Sequence, residues 1–341
     1  MALGFGDSKS VHHLDIPKSL AGLKRLARRL SEPGEEPDRP PKEVLRPEFL
    51  ASLKRLDLRA KVLLQGFLQG WHRTPRRGFS AEFSDYRTFV PGDDPRWIDW
   101  RLYARTDRLY VKRFEAESAL RATLVVDGSA SMGYRSPTRG QYQAPAFTKL
   151  GYAVTLAAAL TCLLQRQRDR VGLLRVGGAS GPQRFVPPRS SRYHARRVLK
   201  ELSAFQAGGS ADVASALAEL SGTERRRGLI AVFSDGLCGR ERLLDALRRL
   251  RHRGHDLIFF QIWDPAELDP PMESGVSFRD PETLELFEPL PREEYQRRAH
   301  EHLGVLRHGC LAISCEHQFL LTTTAFDRAL IKFLRLRKRR H

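Results

Sequence analysis

Short apolar segments alternate with helix-like segments along residues 121–336, and this alternation constrains the fold more than any other feature of the chain. Residues 229–234 are apolar up to a final serine and too short for an ordinary helix, which predicts a strand buried on both faces of a sheet. Strands that alternate with helices run parallel, because each helix carries the chain back across the sheet. The predicted fold class is therefore α/β, with a central, mostly parallel sheet and helices on both faces.

The same pattern places the individual elements. Strands are predicted at 122–127, 170–176, 183–186, 228–234, 256–263 and 316–321, of which the second and third form a hairpin. Helices are predicted at 146–164, 192–205, 213–221, 241–251, 295–306 and 325–336, and residues 278–289 resemble a small hairpin.

Three regions are predicted along the chain. Residues 1–45 are peripheral, with a basic amphipathic helix at 18–30 followed by a linker rich in Pro and Glu. That helix either docks on the body of the protein or lies on a membrane surface. Residues 46–118 form an N-terminal helix, at 47–69, and a small β module, and residues 119–341 form the α/β domain with a C-terminal extension.

Composition limits the classes of protein to consider. The chain is 41% hydrophobic, which is enough for a packed core, and contains only four cysteines, which is typical of a reducing compartment. No apolar run reaches the roughly 18–20 residues of a membrane span, so a cytoplasmic location is expected. The formal net charge of +18 leaves open a second function, the binding of nucleic acid or of an anionic membrane surface.

Oxygen-bearing side chains follow the first strand of the α/β domain. Asp127 ends this strand, and Ser129 and Ser131 follow within a loop of small residues. Ligands of parallel sheets gather at the carboxyl ends of the strands. A tight turn at this edge can direct both hydroxyls to one point above the carboxylate.

Two further segments are predicted to reach the same edge. Asp235 follows the strand at 228–234, and Ser210 lies in a glycine-containing loop before the helix at 213–221. Either Ser210 or Asp212 could supply that loop's ligand, and its position in the loop favours Ser210. These hard oxygen donors suit a divalent cation, Mg²⁺ above all, with Mn²⁺ or Ca²⁺ as alternatives.

The residues around this predicted site favour binding over catalysis. No His or Glu lies in the three segments to act as a base, and no phosphate-binding loop, H-E-x-x-H or G-x-S-x-G motif occurs in the chain. The predicted protein is non-enzymatic. A metal hydrolase is a third reading, which would require turnover that depends on Asp127.

Two resemblances carry the prediction further. The set Asp127, Ser129, Ser131, Ser210 and Asp235 resembles the metal-ion-dependent adhesion site of von Willebrand A domains, with a serine where threonine is usual. Residues 84–94, 98–100 and 111–117 resemble the hallmark of domain-of-unknown-function family 58. The resemblances imply a Rossmann-like von Willebrand A domain that binds an acidic group on a client protein. They also imply a MoxR-type AAA+ ATPase as partner, in assembly or chaperone-like maturation of the client.

A charged turn in the hallmark region provides a candidate partner surface. It contains Asp93, Asp94, Arg96 and Trp100. These side chains either face a partner or pair internally and hold the small β module together, and the sequence does not favour one reading over the other.

Overall fold

A computed structural model describes residues 46–71, 85–90, 95, 98–113, 120–138, 144–179, 181, 183–270, 278–282, 285–287 and 290–338. The basic helix predicted at 18–30 lies outside the described residues, as do Asp93, Asp94 and Arg96. Contacts divide the described residues into two units, one of residues 46–71 together with those from 121 to 338, and one of the described residues between 85 and 120. The helices that follow residue 46 therefore group with the α/β domain, whereas the sequence-based boundaries placed them with the small β module.

A six-stranded sheet forms the centre of the larger unit. The strands are β3 (Arg121–Asp127), β4 (Arg170–Val176), β5 (Arg184–Arg189), β6 (Leu229–Ser234), β7 (Asp256–Trp263) and β10 (Cys315–Leu321). They lie in the order β10-β7-β6-β3-β4-β5, and every neighbouring pair is parallel except β4 and β5. This confirms the mostly parallel central sheet of the predicted α/β fold.

Helices of the larger unit connect and flank these strands. They are α1 (Pro47–Ala51), α2 (Leu56–Trp71), α4 (Lys149–Arg166), α5 (Arg192–Ser203), α6 (Val213–Thr223), α7 (Arg240–His252), α8 (Pro265–Leu268), α9 (Arg292–Ala312) and α10 (Phe326–Lys338). A short 3₁₀ helix, Ala130–Gly133, follows β3. Strands β8 (Phe278–Arg279) and β9 (Leu286–Phe287) pair as a small antiparallel hairpin, within the segment predicted to form one.

The two faces of the sheet are covered by different helices. Alternate residues of the strands, among them Val125, Ile230 and Phe259, pack with α6, α7 and α9 in one apolar cluster. Helix α4 contacts β3, β4 and β7 as well as α2, α5 and α10. Its position among so many elements explains why its residues are buried almost all round. All six residues of β6 are buried, as expected of a strand covered on both faces.

Element ends differ from the predictions for local reasons. Helix α4 begins at Lys149 because the Thr148 hydroxyl accepts a hydrogen bond from Gly151 N at 2.9 Å, which is typical of an N-cap. Strand β5 extends to Arg189 through two prolines, which cost few ladder hydrogen bonds on an edge strand. Helix α8 was not predicted, since it is only four residues long, and a capping box of Asp264 and Glu267 fixes its start.

The smaller unit contains a two-stranded antiparallel sheet and one helix. Strand β1 (Asp85–Thr88) pairs with β2 (Tyr110–Arg113), and α3 (Trp100–Thr106) lies between them in sequence. The Asp99 carboxylate accepts hydrogen bonds from Arg101 N at 3.0 Å and Leu102 N at 3.2 Å and so caps α3.

Candidate functional site

Two adjacent strands bring the predicted acidic residues to one edge of the sheet. Strands β3 and β6 are parallel neighbours, with Val126 beside Phe233 in the register. Asp127 ends β3, and Asp235 directly follows β6. Both side chains are buried, with exposed fractions of 2% for Asp127 and 1% for Asp235. Two carboxylates therefore lie below the surface at the carboxyl end of the sheet.

The first loop is a hydrogen-bonded turn around Asp127. Its Oδ1 accepts a hydrogen bond from Ser129 N at 2.9 Å, and its Oδ2 accepts one from the Ser234 hydroxyl at 2.6 Å. Both carboxylate oxygens are thus held by the chain itself. Ser234 was not among the predicted site residues, although its position as the last residue of β6 could have indicated it.

The serine hydroxyls connect the two carboxylates. Ser129 Oγ and Ser131 Oγ are 3.0 Å apart, and Ser131 Oγ donates to Asp235 Oδ2 at 2.7 Å. The structure therefore brings four of the five predicted ligands, Asp127, Ser129, Ser131 and Asp235, into one connected group. All four are buried.

The third loop, residues 204–212 before α6, is held next to the loop after β3 by its backbone. Gly208 N donates to Gly128 O at 3.0 Å, and Ala130 N donates to Gly209 O at 2.8 Å. The Ser210 side chain is exposed and makes no hydrogen bond with any other residue that the structure describes. The loop thus lies at the predicted edge, while the Ser210 hydroxyl is not part of the connected group.

Asp212 has a different role in the same loop. Its Oδ1 accepts from Ser215 N at 3.0 Å and its Oδ2 from the Ser215 hydroxyl at 2.8 Å, so it caps α6. Arg242 also pairs with Asp212 at 2.6 Å. Asp212 thus caps α6 and pairs with Arg242, whereas the exposed Ser210 hydroxyl makes no such contact in the described chain.

A buried lysine, which the sequence did not indicate, forms ion pairs with the acidic residues of this group. Lys149, at the start of α4, is fully buried, and its Nζ lies 2.8 Å from Asp235 Oδ2 and 2.6 Å from Glu267 Oε1. Burial alone lowers the pKa of Lys149, but the charges of Asp235 and Glu267 raise it above its ordinary value. Lysine in the first turn of a helix is usually solvated, so no sequence signal distinguishes this one.

The pKa values of the two aspartates move in opposite directions. Burial and the negative charge of Asp235 raise the pKa of Asp127 to about 7. Burial also opposes ionisation of Asp235, yet the Lys149 ammonium beside it brings its pKa below the ordinary value. The Lys149 ammonium faces the carboxylates of Asp235 and Glu267, so an excess of negative charge develops, and grows as Asp127 ionises above about pH 7.

A further carboxylate approaches the serines from the β8–β9 hairpin. Burial and the charge of Asp235 raise the pKa of Glu282, and the nearby Ser131 and Ser129 hydroxyls offset only part of that increase. Glu282 N donates to Asp280 Oδ1 at 2.7 Å, which fixes the turn that presents this side chain. Sequence reasoning missed Glu282 because nothing in a short polar hairpin predicts where its side chains lie.

Backbone contacts hold the Asp235 loop in place. The carbonyl of Asp235 accepts hydrogen bonds from Trp263 Nε1 at 2.7 Å and Gln261 Nε2 at 3.0 Å, and His302 Nε2 donates to Gly236 O at 3.0 Å. Gly236 has a φ of +74°, which disfavours any residue with a Cβ. The carboxylate of Asp235 is thus presented by a rigid turn.

The donor set fits a hard divalent cation. It consists of two carboxylates and neutral hydroxyls, oxygen ligands of the kind that Mg²⁺, Mn²⁺ and Ca²⁺ prefer. Within the described residues, no three His, Cys, Asp or Glu side chains cluster as a metal site, so the serine hydroxyls would have to contribute.

The candidate partner surface is described only in part. Trp100 is 61% exposed on α3 and packs edge to face with Tyr103, at 6.2 Å between ring centroids. An exposed tryptophan is common at protein interfaces, so Trp100 remains a candidate contact residue.

Comparison with known proteins gives a family and several relatives. A family model described as "Protein of unknown function DUF58" matches residues 85–305. Uncharacterized proteins of Mycobacterium bovis (Mb1516) and Mycobacterium tuberculosis (Rv1480) are each 32% identical over 263 residues, covering 75% of this chain and 79% of theirs.

Several solved structures also align with part of the chain. An aerotolerance-related membrane protein from Bacteroides fragilis aligns with a TM-score of 0.41 and 15% identity, over 64% of this chain and 100% of that one. BatB from Bacteroides thetaiotaomicron aligns with a TM-score of 0.40 at 15% identity, over the same shares of the two chains. In the described part of the present chain, no helix is both long and apolar enough to cross a membrane.

Proposed function

The chain belongs to the DUF58 family of proteins of unknown function, and we propose that it is a non-enzymatic protein-binding adaptor that depends on a divalent cation. The observation that carries the proposal is the buried group of Asp127, Ser129, Ser131 and Asp235 at the carboxyl edge of the sheet. We further propose that the larger unit is a von Willebrand A-like domain. The D-x-S-x-S loop after β3 and the aspartate after the neighbouring β6 support this.

In this proposal Ser129 and Ser131 hold the cation together with Asp127 and Asp235, and Ser210 approaches from the third loop. The bound cation would supply positive charge at the edge of the sheet. A cation held by hydroxyls and few carboxylates would keep an open coordination position, which favours a carboxylate from a partner protein. The ligand class proposed is therefore an acidic side chain of a client.

The arrangement of Asp127 favours binding over hydrolysis. Its pKa of about 7 is in the range of a general base. However, its two oxygens already accept hydrogen bonds from Ser129 N and the Ser234 hydroxyl, and only 2% of the residue is exposed. A carboxylate enclosed in this way cannot take a proton directly from a substrate, which argues against a hydrolase.

The family resemblance adds a proposed setting, action beside a MoxR-type AAA+ ATPase in the cytoplasm during assembly or maturation of a client. Trp100 on the smaller unit is a candidate contact for such a partner because of its exposure.

A binding experiment with purified proteins tests the proposal. The immobilised chain is incubated with the MoxR-type ATPase and client encoded nearest to its gene, in Mg²⁺ and then in EDTA. Ser131→Ala removes one proposed ligand, while Ser203→Ala removes a hydroxyl from the exposed end of α5 and is the matched control.

We expect retention in Mg²⁺ that is lost in EDTA and in Ser131→Ala, and is kept in Ser203→Ala. Retention that is indifferent to EDTA would contradict the proposal. DNA binding that weakens with salt and ignores EDTA would instead favour the nucleic-acid alternative.

A further inference from the structure

A basic cavity lies on the larger unit, between α5 and the β4–β5 edge of the sheet. Its volume is about 720 Å³, which is in the range of small-ligand pockets. Five basic side chains and one acidic side chain line it: Arg175, Arg184, Arg196, Arg197, Lys200 and Glu201.

The backbone places these cations close together despite their repulsion. Arg175 and Arg184 are direct partners in the antiparallel register of β4 and β5, a pairing of like charges that is unfavourable. Glu201 bridges the two, at 3.4 Å from Arg175 and 3.0 Å from Arg184. Glu201 is thus the acidic residue that offsets these two arginines.

Helix α5 contributes three further cations. Arg196, Arg197 and Lys200 are exposed, and no ion pair joins any of them to another residue in the described part of the chain. On the opposite side of α5, His194, Val198 and Leu202 are buried. This packing fixes the rotation of the helix, so the three cations stay on the cavity side. The cavity therefore presents uncompensated positive charge at a fixed place.

Arg175 forms the rigid base of the cavity. It is 8% exposed, its guanidinium lies 4.9 Å from the centroid of the Phe205 ring, and its Nε has no hydrogen-bond partner within the described chain. Its Nη1 donates to Glu201 O at 3.3 Å, so the unsatisfied donor is the Nε–H alone. A buried N–H without a partner is costly unless a ligand or water satisfies it, and an anion in the cavity is one candidate acceptor.

We propose that this cavity binds a small polyphosphate of about the size of a nucleoside diphosphate. Arginines that converge on a concavity match the geometry of phosphate oxygens, whereas a nucleic-acid surface more often shows a stripe of charge. Tyr193, also in the lining and 81% exposed, offers a ring on which a planar base can stack. This inference is independent of the proposed cation site.

Titration calorimetry with the full-length protein tests the proposal. Inorganic pyrophosphate and ADP are titrated separately in EDTA, so that no divalent cation can link the phosphates to the acidic site. The variant Arg196→Gln with Arg197→Gln removes two charges from the cavity. The matched control, Arg225→Gln with Arg226→Gln, removes two exposed charges from the loop before β6.

We expect saturable binding of one equivalent by the wild type, weakened about tenfold or more in the cavity variant and within about twofold in the control. ADP that binds more tightly than pyrophosphate, with the difference lost in Tyr193→Ala, would identify a nucleotide as the ligand. Equal binding of the two would identify a free polyphosphate.

Three results would overturn the proposal. They are no saturable binding of either compound, equal weakening in the control variant, and binding of a single-stranded oligonucleotide without binding of ADP or pyrophosphate. The last result would make the basic residues a nucleic-acid surface.

Discussion

The acidic site and the basic cavity of the larger unit differ in whether their charged side chains are buried and paired or exposed. Asp127 and Asp235 are buried, hydrogen-bonded and partly neutralised by Lys149. The cations of α5 are exposed and surround a cavity with one acidic residue in its lining. Removing one charge should therefore affect folding stability at the first site and ligand affinity at the second.

The two regions meet at the Phe205 ring. One side of the ring lies against Gly128 in the first loop of the acidic site, where a Cβ would overlap it. The Arg175 guanidinium of the basic cavity lies 4.9 Å from the centroid of the same ring. The two regions are therefore neighbours within one unit.

The largest expected effect is that of Lys149→Met. The substitution leaves Asp235 and Glu267 buried without their shared ammonium, so the free energy of unfolding should fall by about 3–5 kcal/mol. Urea denaturation in EDTA measures it. Lys200→Met removes an exposed lysine of the basic cavity and should change stability by less than about 0.5 kcal/mol. Equal effects of the two substitutions would remove the contrast between the regions.

The pH dependence of stability should come next in size. Burial and Asp235 raise the pKa of Asp127 to about 7, above its value of about 4 in the unfolded chain. The folded state therefore binds more protons between these values, and the stability contributed by Asp127 falls as pH rises from about 4 to about 7.

Comparison with Asp127→Asn isolates that contribution. In EDTA, the unfolding free energy of the wild type relative to the variant should decrease across this window by up to about 1.4 kcal/mol per pH unit. Asp212→Asn is the control, because the pKa of Asp212 is lowered from its ordinary value and its titration lies below the window. A flat difference for Asp127→Asn would show that Asp127 is an ordinary, solvated carboxylate.

Gly128→Ala tests the boundary between the regions. Its Cβ would overlap the Phe205 ring, which is itself packed against Arg175, so we expect a loss of about 1–3 kcal/mol in unfolding free energy. Gly222→Ala, in α6 with open space around it, should be neutral or stabilising by up to about 1 kcal/mol. Equal melting temperatures for the two variants would mean that the ring yields freely.

The smallest effect distinguishes the two alternative ligands of the third loop. Ser210→Ala should weaken Mg²⁺ binding several-fold. Asp212→Asn should change Mg²⁺ affinity by less than about twofold, since this carboxylate caps α6 and its pair with Arg242 is exposed. Titration of both variants with Mg²⁺ decides between them, and the reverse order would assign the ligand to Asp212.

The sheet was predictable because strand burial leaves a strong signal. The six residues of β6 are apolar up to Ser234, and the D-x-S-x-S loop and Asp235 lie where parallel strands end. Lys149 and Glu282 could not be found in this way. Each reaches the group from an element distant in sequence, and only the packing of α4 and the β8–β9 hairpin brings their side chains there.

The contrast between Ser210 and Asp212 shows the same limit within one loop. Both residues fit the pattern of a metal-binding loop, and the sequence left the choice open. Hydrogen bonds from Ser215 to Asp212 settle what that carboxylate does in the fold, because an N-cap depends on the exact position at which α6 begins.

Direct measurement of Mg²⁺ binding tests the central claim. Calorimetric titration of the wild type, Ser131→Ala and the control Ser203→Ala should show one Mg²⁺ per chain for the wild type and the control, and affinity lowered about tenfold or more in Ser131→Ala. The absence of Mg²⁺, Mn²⁺ and Ca²⁺ binding by the wild type, or equal binding by Ser131→Ala, would contradict the assignment of this edge of the sheet as a metal site.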